Sequence, residues 1–415
     1  MAEEARLNPF TPDRPAPPPM FAGRRAEVRQ IREALTATLA GRARHILIVG
    51  ERWIGKSSTA VYAKNMADMA EFAFDDPDIS VHASFVSLGK CQTINEVCVA
   101  ILDSLKECQN TVRHKIFDIL SSISGLQIGM LGVTVDRKAE GDFLVPTFPS
   151  VFQKVLDQTK SAYDAVMIIL DETEQVSRLA GISSFLKTFL EELQAAGYGN
   201  FILLMTATPE GVHSFTCDHP SFPRLFRYVD LESLSQEDSR DLLEKALAEG
   251  IPRVTVSDTA AELMFGFSEG LPGLLQELGF WAFEVNTDGE IKRDDVVRGI
   301  VGLRHIGIKG ALDTLYDKHF RKTLHEDLLS ERYREILYAL ASSETEVVSR
   351  SYLRSQLPQW EVRGMDRYLS ILRDRGIVEF APVGKRGEYR FTSRMLSLWV
   401  DLDQMRKERE AKEGQ

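Results

Sequence analysis

Residues 50–57 read Gly50-Glu51-Arg52-Trp53-Ile54-Gly55-Lys56-Ser57. This is two glycines with four residues between them, then lysine and serine. The apolar run His45–Val49 stands before it, and a helical pattern runs from Lys56 to about Met69. Strand, glycine turn and helix start together give the pattern its force. Glycines let the backbone wrap an anion, so that successive N–H groups and the positive end of the helix point at it. Glu51, Arg52, Trp53 and Ile54 belong to that wrap. Lys56 supplies a charge to the β- and γ-phosphates and the Ser57 hydroxyl a ligand for Mg²⁺, while Ser58 reaches the α-phosphate side. The expected ligands are ATP and Mg²⁺.

Outward from the loop, strands and helices alternate. Val81–Leu88, Val166–Leu170, Phe201–Met205 and Tyr228–Leu231 read as strands, Val166–Leu170 and Phe201–Met205 being unbroken apolar runs, and helical patterns over Ile94–Leu105 and Ile182–Ala195 lie between them. Continuously apolar strands between helices predict a parallel sheet covered on both faces, an α/β domain over residues 21–232. The strand Val166–Leu170 runs into Asp171-Glu172. An acid at the carboxyl end of a strand beside the loop is placed to hold Mg²⁺, and its neighbour to orient and deprotonate the attacking water. Asp171 takes the first role and Glu172 the second; Glu174 reads as a solvated neighbour. An insertion over about 109–150 contains Gly125–Arg137, glycine-punctuated and alternating. It predicts a β-hairpin, either a pore or partner-contact element or a surface decoration.

The rest of the chain divides by pattern. Six prolines between Pro9 and Pro19 predict an extended arm over residues 1–20. Residues 233–304 are helical only, opened by a Ser235 cap. A connecting helix over 305–330 leads to 331–400, where three helices, the third ended by Gly376, precede two strands around Gly384–Gly387. That is the order of a winged helix-turn-helix. A charged tail, 401–415, follows. His213, Cys217 and His219 gather metal-ligand types without a second pair to complete a tetrahedral site.

Phe21-x-Gly23-Arg24 ahead of the first helix, the loop at 50–57, the Asp171-Glu172 pair and Gly270-Leu271-Pro272 together resemble the AAA+/STAND group of P-loop ATPases. Within it the likeness is to the origin-recognition and archaeal-initiator-like ATPases with a C-terminal winged helix. The resemblance implies the AAA+ type of parallel sheet with a helical lid, and ATPase activity of a slow, switch-like kind. It implies that Phe21, Gly23 and Arg24 border the nucleotide and that Thr206 senses the γ-phosphate. Arg224 or Arg227 would be an arginine finger reaching a neighbouring subunit, and Pro272 would touch nucleotide from the lid. A nucleotide-dependent homo-oligomer follows from the same likeness.

Across 415 residues, 61 acids outweigh 50 bases, a net charge of −11, which excludes a general polyanion binder. The acidity is uneven: residues 331–400 carry 12 bases against 9 acids. Arg363, Arg367 and Arg373 on the third winged-helix helix, with Lys385 and Arg386 in the turn, are candidates to meet DNA or a protein partner. Asp366 and Asp374 interrupt that face. Three readings stay open: a nucleotide-controlled switch, an ATP-licensed DNA initiator, loader or transposition regulator, and a signalling or defence scaffold docking a protein effector. No apolar run nears the ~20 residues of a membrane span. With no leader pattern and only four cysteines, a reduced cytoplasmic protein without a membrane partner is expected.

Overall fold

The structure is a computed structural model that describes residues 6–69, 79–123, 125–129, 132–135, 143–302, 310–315, 330–343, 345–357, 362–381 and 387–413. Asp13–Ser233 forms one compact unit; Met1–Pro12 and Leu234–Gln415 form the other.

Among its described residues the first unit holds seven strands: β1 (His45–Val49), β2 (Val81–Ser87), β3 (Leu126–Gly129), β4 (Gly132–Val135), β5 (Ala165–Asp171), β6 (Phe201–Ala207) and β7 (Phe226–Asp230). Five of them build a parallel sheet in the order β2-β5-β6-β1-β7. Every residue of β5 and β6 is buried, which is why these strands read as unbroken apolar runs rather than alternating ones. Phe148 and Phe152 of the helix Phe148–Thr159 pack with Phe189 of the helix Ile182–Ala195 and Phe201 of β6, at ring separations of 5.0–5.9 Å. The chain passes from β1 out to β2, returns through β5 and β6, and then crosses β1 to reach β7. The carboxyl end of β1 therefore lies where the winding reverses, the place where open α/β sheets bind ligands.

The inserted hairpin is present: β3 and β4 pair antiparallel with Leu126 opposite Val135. The insertion around it packs into the sheet unit. Val112, Ile116, Leu120, Val133 and Leu144 all join the core of this unit, and the Val133 N–H donates to the Asp103 carboxylate at 2.8 Å. The hairpin's alternating pattern showed the strands but not this packing.

In the second unit the expected lid helices form as Gln236–Ala248, Asp258–Ser268, Pro272–Val285 and Arg293–Val301, the first capped by Ser235, which accepts from the Asp238 N–H at 3.0 Å. The pattern missed a two-residue parallel pair, β8 (Thr255–Val256) with β9 (Glu290–Ile291), too short to carry a period. The proline-rich arm divides at Pro12. Leu7 bridges to Ile251, Phe10 is buried against Gly279, and the Thr11 N–H donates to Gln276; the arm from Asp13 onward belongs to the first unit. Pro18–Met20 closes a 3-10 turn, where only extended backbone was expected.

Of the connecting segment 305–330, Ala311–Leu315 is helical, and 305–309 and 316–329 lie outside the described residues. The winged-helix order is seen as the helices Glu331–Ala341, Arg350–Gln356 and Val362–Asp374, then β11 (Val378–Phe380) and β12 (Glu388–Phe391), with β10 (Val348–Ser349) completing a three-stranded sheet in the order β10-β12-β11. Gly376 takes the left-handed backbone expected of a cap, at φ 67°. The charged tail is the end of a long helix, Arg394–Glu413. Among the described residues no helix is long and apolar enough to cross a membrane.

Candidate functional site

The glycine loop sits at the carboxyl end of β1 and is fixed by backbone needs that its sequence meets. Gly50 has no room for a side chain: a Cβ there would lie 2.6 Å from Ile54 Cγ2 and 3.3 Å from Leu231. Gly55 stands at φ 95° and caps the helix Lys56–Asp68, a conformation that favours glycine. Trp53 takes the same left-handed region at φ 66°. Ile54 is buried, whereas the side chains of Glu51 and Arg52 are exposed and leave only their backbone to the loop.

Lys56 folds back over the loop, its Nζ donating to the carbonyls of Gly50 at 2.9 Å and Glu51 at 3.0 Å. Burial pushes its pKa below the ordinary lysine value, and the charges of Glu174 and then Asp171 oppose that fall. Ser57 lies in the first helical turn. The Ser58 hydroxyl accepts from the Ala16 N–H at 3.1 Å, which ties the proline segment to the helix that follows the loop.

Arg24 is reached from the outside. Its guanidinium is buried and donates to the Ile54 carbonyl at 2.9 Å, with Glu27 beside it at 3.5 Å. The arginine thus braces the loop's backbone. Gly23 at φ 64° and Arg24 at φ 62° make the bend that brings it there. Phe21 stacks on Tyr62 of the helix Lys56–Asp68, with ring centroids 4.4 Å apart.

Register puts the acids next to the loop. Asp171 ends β5 opposite Ser87 of β2, and Thr206 of β6 lies opposite Ile48 of β1. Asp171 is buried, and the Thr206 hydroxyl donates to its Oδ1 at 2.5 Å while accepting from the Glu172 N–H at 3.2 Å. Thr206 therefore links the two acids. Glu172 stands at φ 59°, and its exposed carboxylate takes a hydrogen bond from the Ser87 hydroxyl at 2.6 Å. Gly89 leaves the space: a Cβ there would fall 2.4 Å from Glu172 Oε2. Ser87 had no signal in the sequence beyond closing a strand. Glu174, expected in solvent, is half-buried, with Oε2 shielded and, among the described residues, no hydrogen bond to it.

Hydroxyl and carboxylate oxygens from Ser57 and Asp171 form the hard-donor set that suits Mg²⁺.

The two arginines ahead of β7 differ. Arg227 pairs with Glu33 of the helix Arg25–Leu39 at 2.9 Å. Arg224 is exposed; its backbone N–H donates to the Ser221 carbonyl, and among the described residues no hydrogen bond or ion pair of its guanidinium is seen. In the second unit Pro272 opens its helix after Gly270 at φ 74°, where a Cβ would meet the Leu234 carbonyl oxygen at 2.3 Å.

In the winged helix Arg350 pairs with Asp366, Arg390 with Glu379, and Arg394 with Glu346. Arg373 lies over the Phe380 ring, 3.7 Å from its centroid, and Arg367 is exposed. The side chain of Arg363, and Lys385 and Arg386 entirely, lie outside the described residues.

No protein-family model and no curated protein sequence matches the chain. Solved structures do. The Walker-type ATPase PABY2304 of Pyrococcus abyssi is 17% identical over 92% of this chain and 96% of its own, with a TM-score of 0.56. The Aeropyrum pernix ORC2 protein in ADPNP–ADP complexes is 15% identical over 96% and 98%, with a TM-score of 0.62. Its ADP form gives 14% over the same shares and a TM-score of 0.54. The fold is shared with these Walker-type ATPase and origin-recognition protein structures.

Proposed function

We propose that this protein binds Mg-ATP at Gly50–Ser58 and hydrolyses it as a slow molecular switch. The observation that carries the reading is the convergence, at the carboxyl ends of β1, β5 and β6, of the glycine loop with Lys56, the buried Asp171 and the Thr206 hydroxyl that joins Asp171 to Glu172. Structures of the same fold hold ADP and ADPNP, in keeping with it.

Lys56 leaves the carbonyls of Gly50 and Glu51 for the phosphates, exchanging two neutral acceptors for an anion. Ser57 and Asp171 hold magnesium, whose part is to neutralise charge on the transferring phosphoryl group. Glu172 takes a proton from the attacking water, which requires its carboxylate to turn from the Ser87 hydroxyl. Thr206 orients both acids and senses the γ-phosphate through them. Arg24 acts on the loop rather than on the nucleotide. Arg224, rather than the paired Arg227, is the finger presented to a neighbouring subunit.

Nucleotide state then sets oligomerisation and the presentation of the winged helix. The internal pairing of Arg350, Arg390 and Arg394 and the stacking of Arg373 leave Arg367 the exposed member of the recognition set, with Arg363, Lys385 and Arg386 beyond description. This favours a protein partner or a weak duplex contact over a strongly electrostatic DNA grip. Mass photometry with ATP, ADP or neither, with and without duplex DNA, separates switch, initiator and effector scaffold. The central chemistry is tested by phosphate release: Glu172→Gln retains ATP binding and loses about 10²–10⁴-fold in turnover. Unchanged turnover removes Glu172 from the reaction.

A further inference from the structure

Arg394 differs from Arg350, Arg373 and Arg390 in having partners in two places. It opens the helix Arg394–Glu413. Its Nη2 lies 3.2 Å from Glu346 Oε2, within the winged helix. Its other contacts are on the lid: Nη1 donates to the Gly266 carbonyl at 3.3 Å, and Nε stands 3.8 Å from Glu269 Oε1. Both lid groups belong to the end of one helix. Gly266 is in the last turn of Asp258–Ser268, where carbonyls run out of partners inside the helix. Glu269 follows in left-handed backbone at φ 54°. The next residue is clamped, since the Gly270 carbonyl accepts from the Leu234 N–H at 2.8 Å. Leu234 is the first residue of this unit after the sheet unit ends.

On its other side Arg394 is a short step from the helix Val362–Asp374. Two residues earlier, the Thr392 hydroxyl donates to the Gly376 carbonyl at 2.8 Å and the Thr392 N–H to the Ile377 carbonyl at 3.2 Å, just past the end of that helix. The helix Arg394–Glu413 lies against Asp258–Ser268, with Met395, Leu396, Trp399 and Val400 buried. Apolar burial holds two helices together without fixing how one is turned on the other, because it has no direction. A guanidinium with its donors in a rigid fork and three acceptors in place supplies that direction. We propose that Arg394 is a latch: it fixes the winged helix against the end of the lid helix Asp258–Ser268, so that the lid aims the helix Val362–Asp374. The latch rests, for its use in a switch, on the reading above that nucleotide state sets the presentation of the winged helix.

The test uses the full-length protein with spin labels on p-acetylphenylalanine in place of Glu262, on the lid helix, and Ser370, on the helix Val362–Asp374, both exposed. Double electron–electron resonance then reads the distance between them. The wild-type sequence gives one narrow distribution. Arg394→Ala, which removes a charged hydrogen bond and two exposed ion pairs together, raises the population outside it roughly tenfold. Glu269→Gln keeps the shape, loses one pair and moves the distribution the same way by less, so it carries the test if Arg394→Ala does not fold. About 0.5 M salt widens the wild-type distribution, as screening of exposed pairs requires. Arg350→Ala breaks an ion pair inside the winged helix and leaves the distribution narrow. A wild-type distribution that is already broad, folded Arg394→Ala and Glu269→Gln proteins that superimpose on the wild type, or equal widening by Arg350→Ala overturns the proposal. If Arg394→Ala widens the distances while mass photometry shows no response of the wild type to ATP, the latch stands and the switch reading falls.

Discussion

The carboxyl end of the parallel sheet and the winged helix both gather charged side chains, and they treat them in opposite ways. At the sheet, strand register delivers Asp171, Thr206 and the loop after β1 to one place, and each group is bonded to another member of the site. In the winged helix the charges are spent within the domain: Arg350 on Asp366, Arg390 on Glu379, Arg394 on Glu346, Arg373 on Phe380. A basic count by itself therefore overstates what a partner meets. The sheet end is organised to bind something, whereas much of the winged helix's charge is organised to hold itself together.

The sharpest way to break this contrast lies with the two arginines ahead of β7. If Arg224 is the finger, Arg224→Ala lowers turnover by on the order of 10³-fold, and adding Glu172→Gln subunits, which carry an intact Arg224, restores part of it. Arg227→Ala removes only a partly exposed pair with Glu33, so it costs less than about 1 kcal/mol of stability and little activity. Turnover assays on the two variants, alone and mixed, decide it. Equal losses, or no recovery on mixing, would take the finger away from Arg224.

Acid offers the next largest difference. Burial holds both His45 and His82, on β1 and β2, down at about 4 against an ordinary 6.5. In the folded chain these imidazoles stay neutral while the unfolded chain protonates, so their stabilisation is complete above pH 6.5. It drains as the pH falls from 6.5 towards 4. Each accounts for at most ~3 kcal/mol. Thermal melts between pH 7 and 4.5 should show the sheet unit losing stability steadily; His82→Gln or His45→Gln should flatten the trend. A melting temperature independent of pH over that window would contradict this burial account.

The smallest effect belongs to the winged helix. If duplex DNA is bound, Arg367→Ala reduces the slope of log affinity against log salt by ~1 and leaves ATP binding unchanged. An unaltered slope leaves that surface to a protein partner.

Much of the sheet unit was legible because its signals are local. All five parallel strands were read from the sequence, the central β5 and β6 as unbroken apolar runs, and the loop motif carries its own backbone requirements at Gly50 and Gly55. Asp171 and Glu172 follow from their place at a strand's end. What stayed hidden depends on chain far away. Ser87 meets Glu172 across two strands and Arg24 braces Ile54, neither of which has a period or a spacing. The winged helix was readable as an order of elements, yet its ion pairs join residues 16 or 48 positions apart, as in Arg350–Asp366 and Arg394–Glu346. Side-chain commitment of that kind is a property of the fold, so pattern could count the charges but not their partners.

The central claim is that the loop at 50–57 binds Mg-ATP through Lys56, and calorimetry tests it most directly. Titrating ATP with magnesium into the wild-type protein should saturate at one nucleotide per chain. Lys56→Ala, with an unchanged melting temperature, should lose at least about 10²-fold in affinity, the cost of removing one partner of a charged contact. Saturation with unaltered affinity in Lys56→Ala, or no binding by the wild-type protein, would contradict the account.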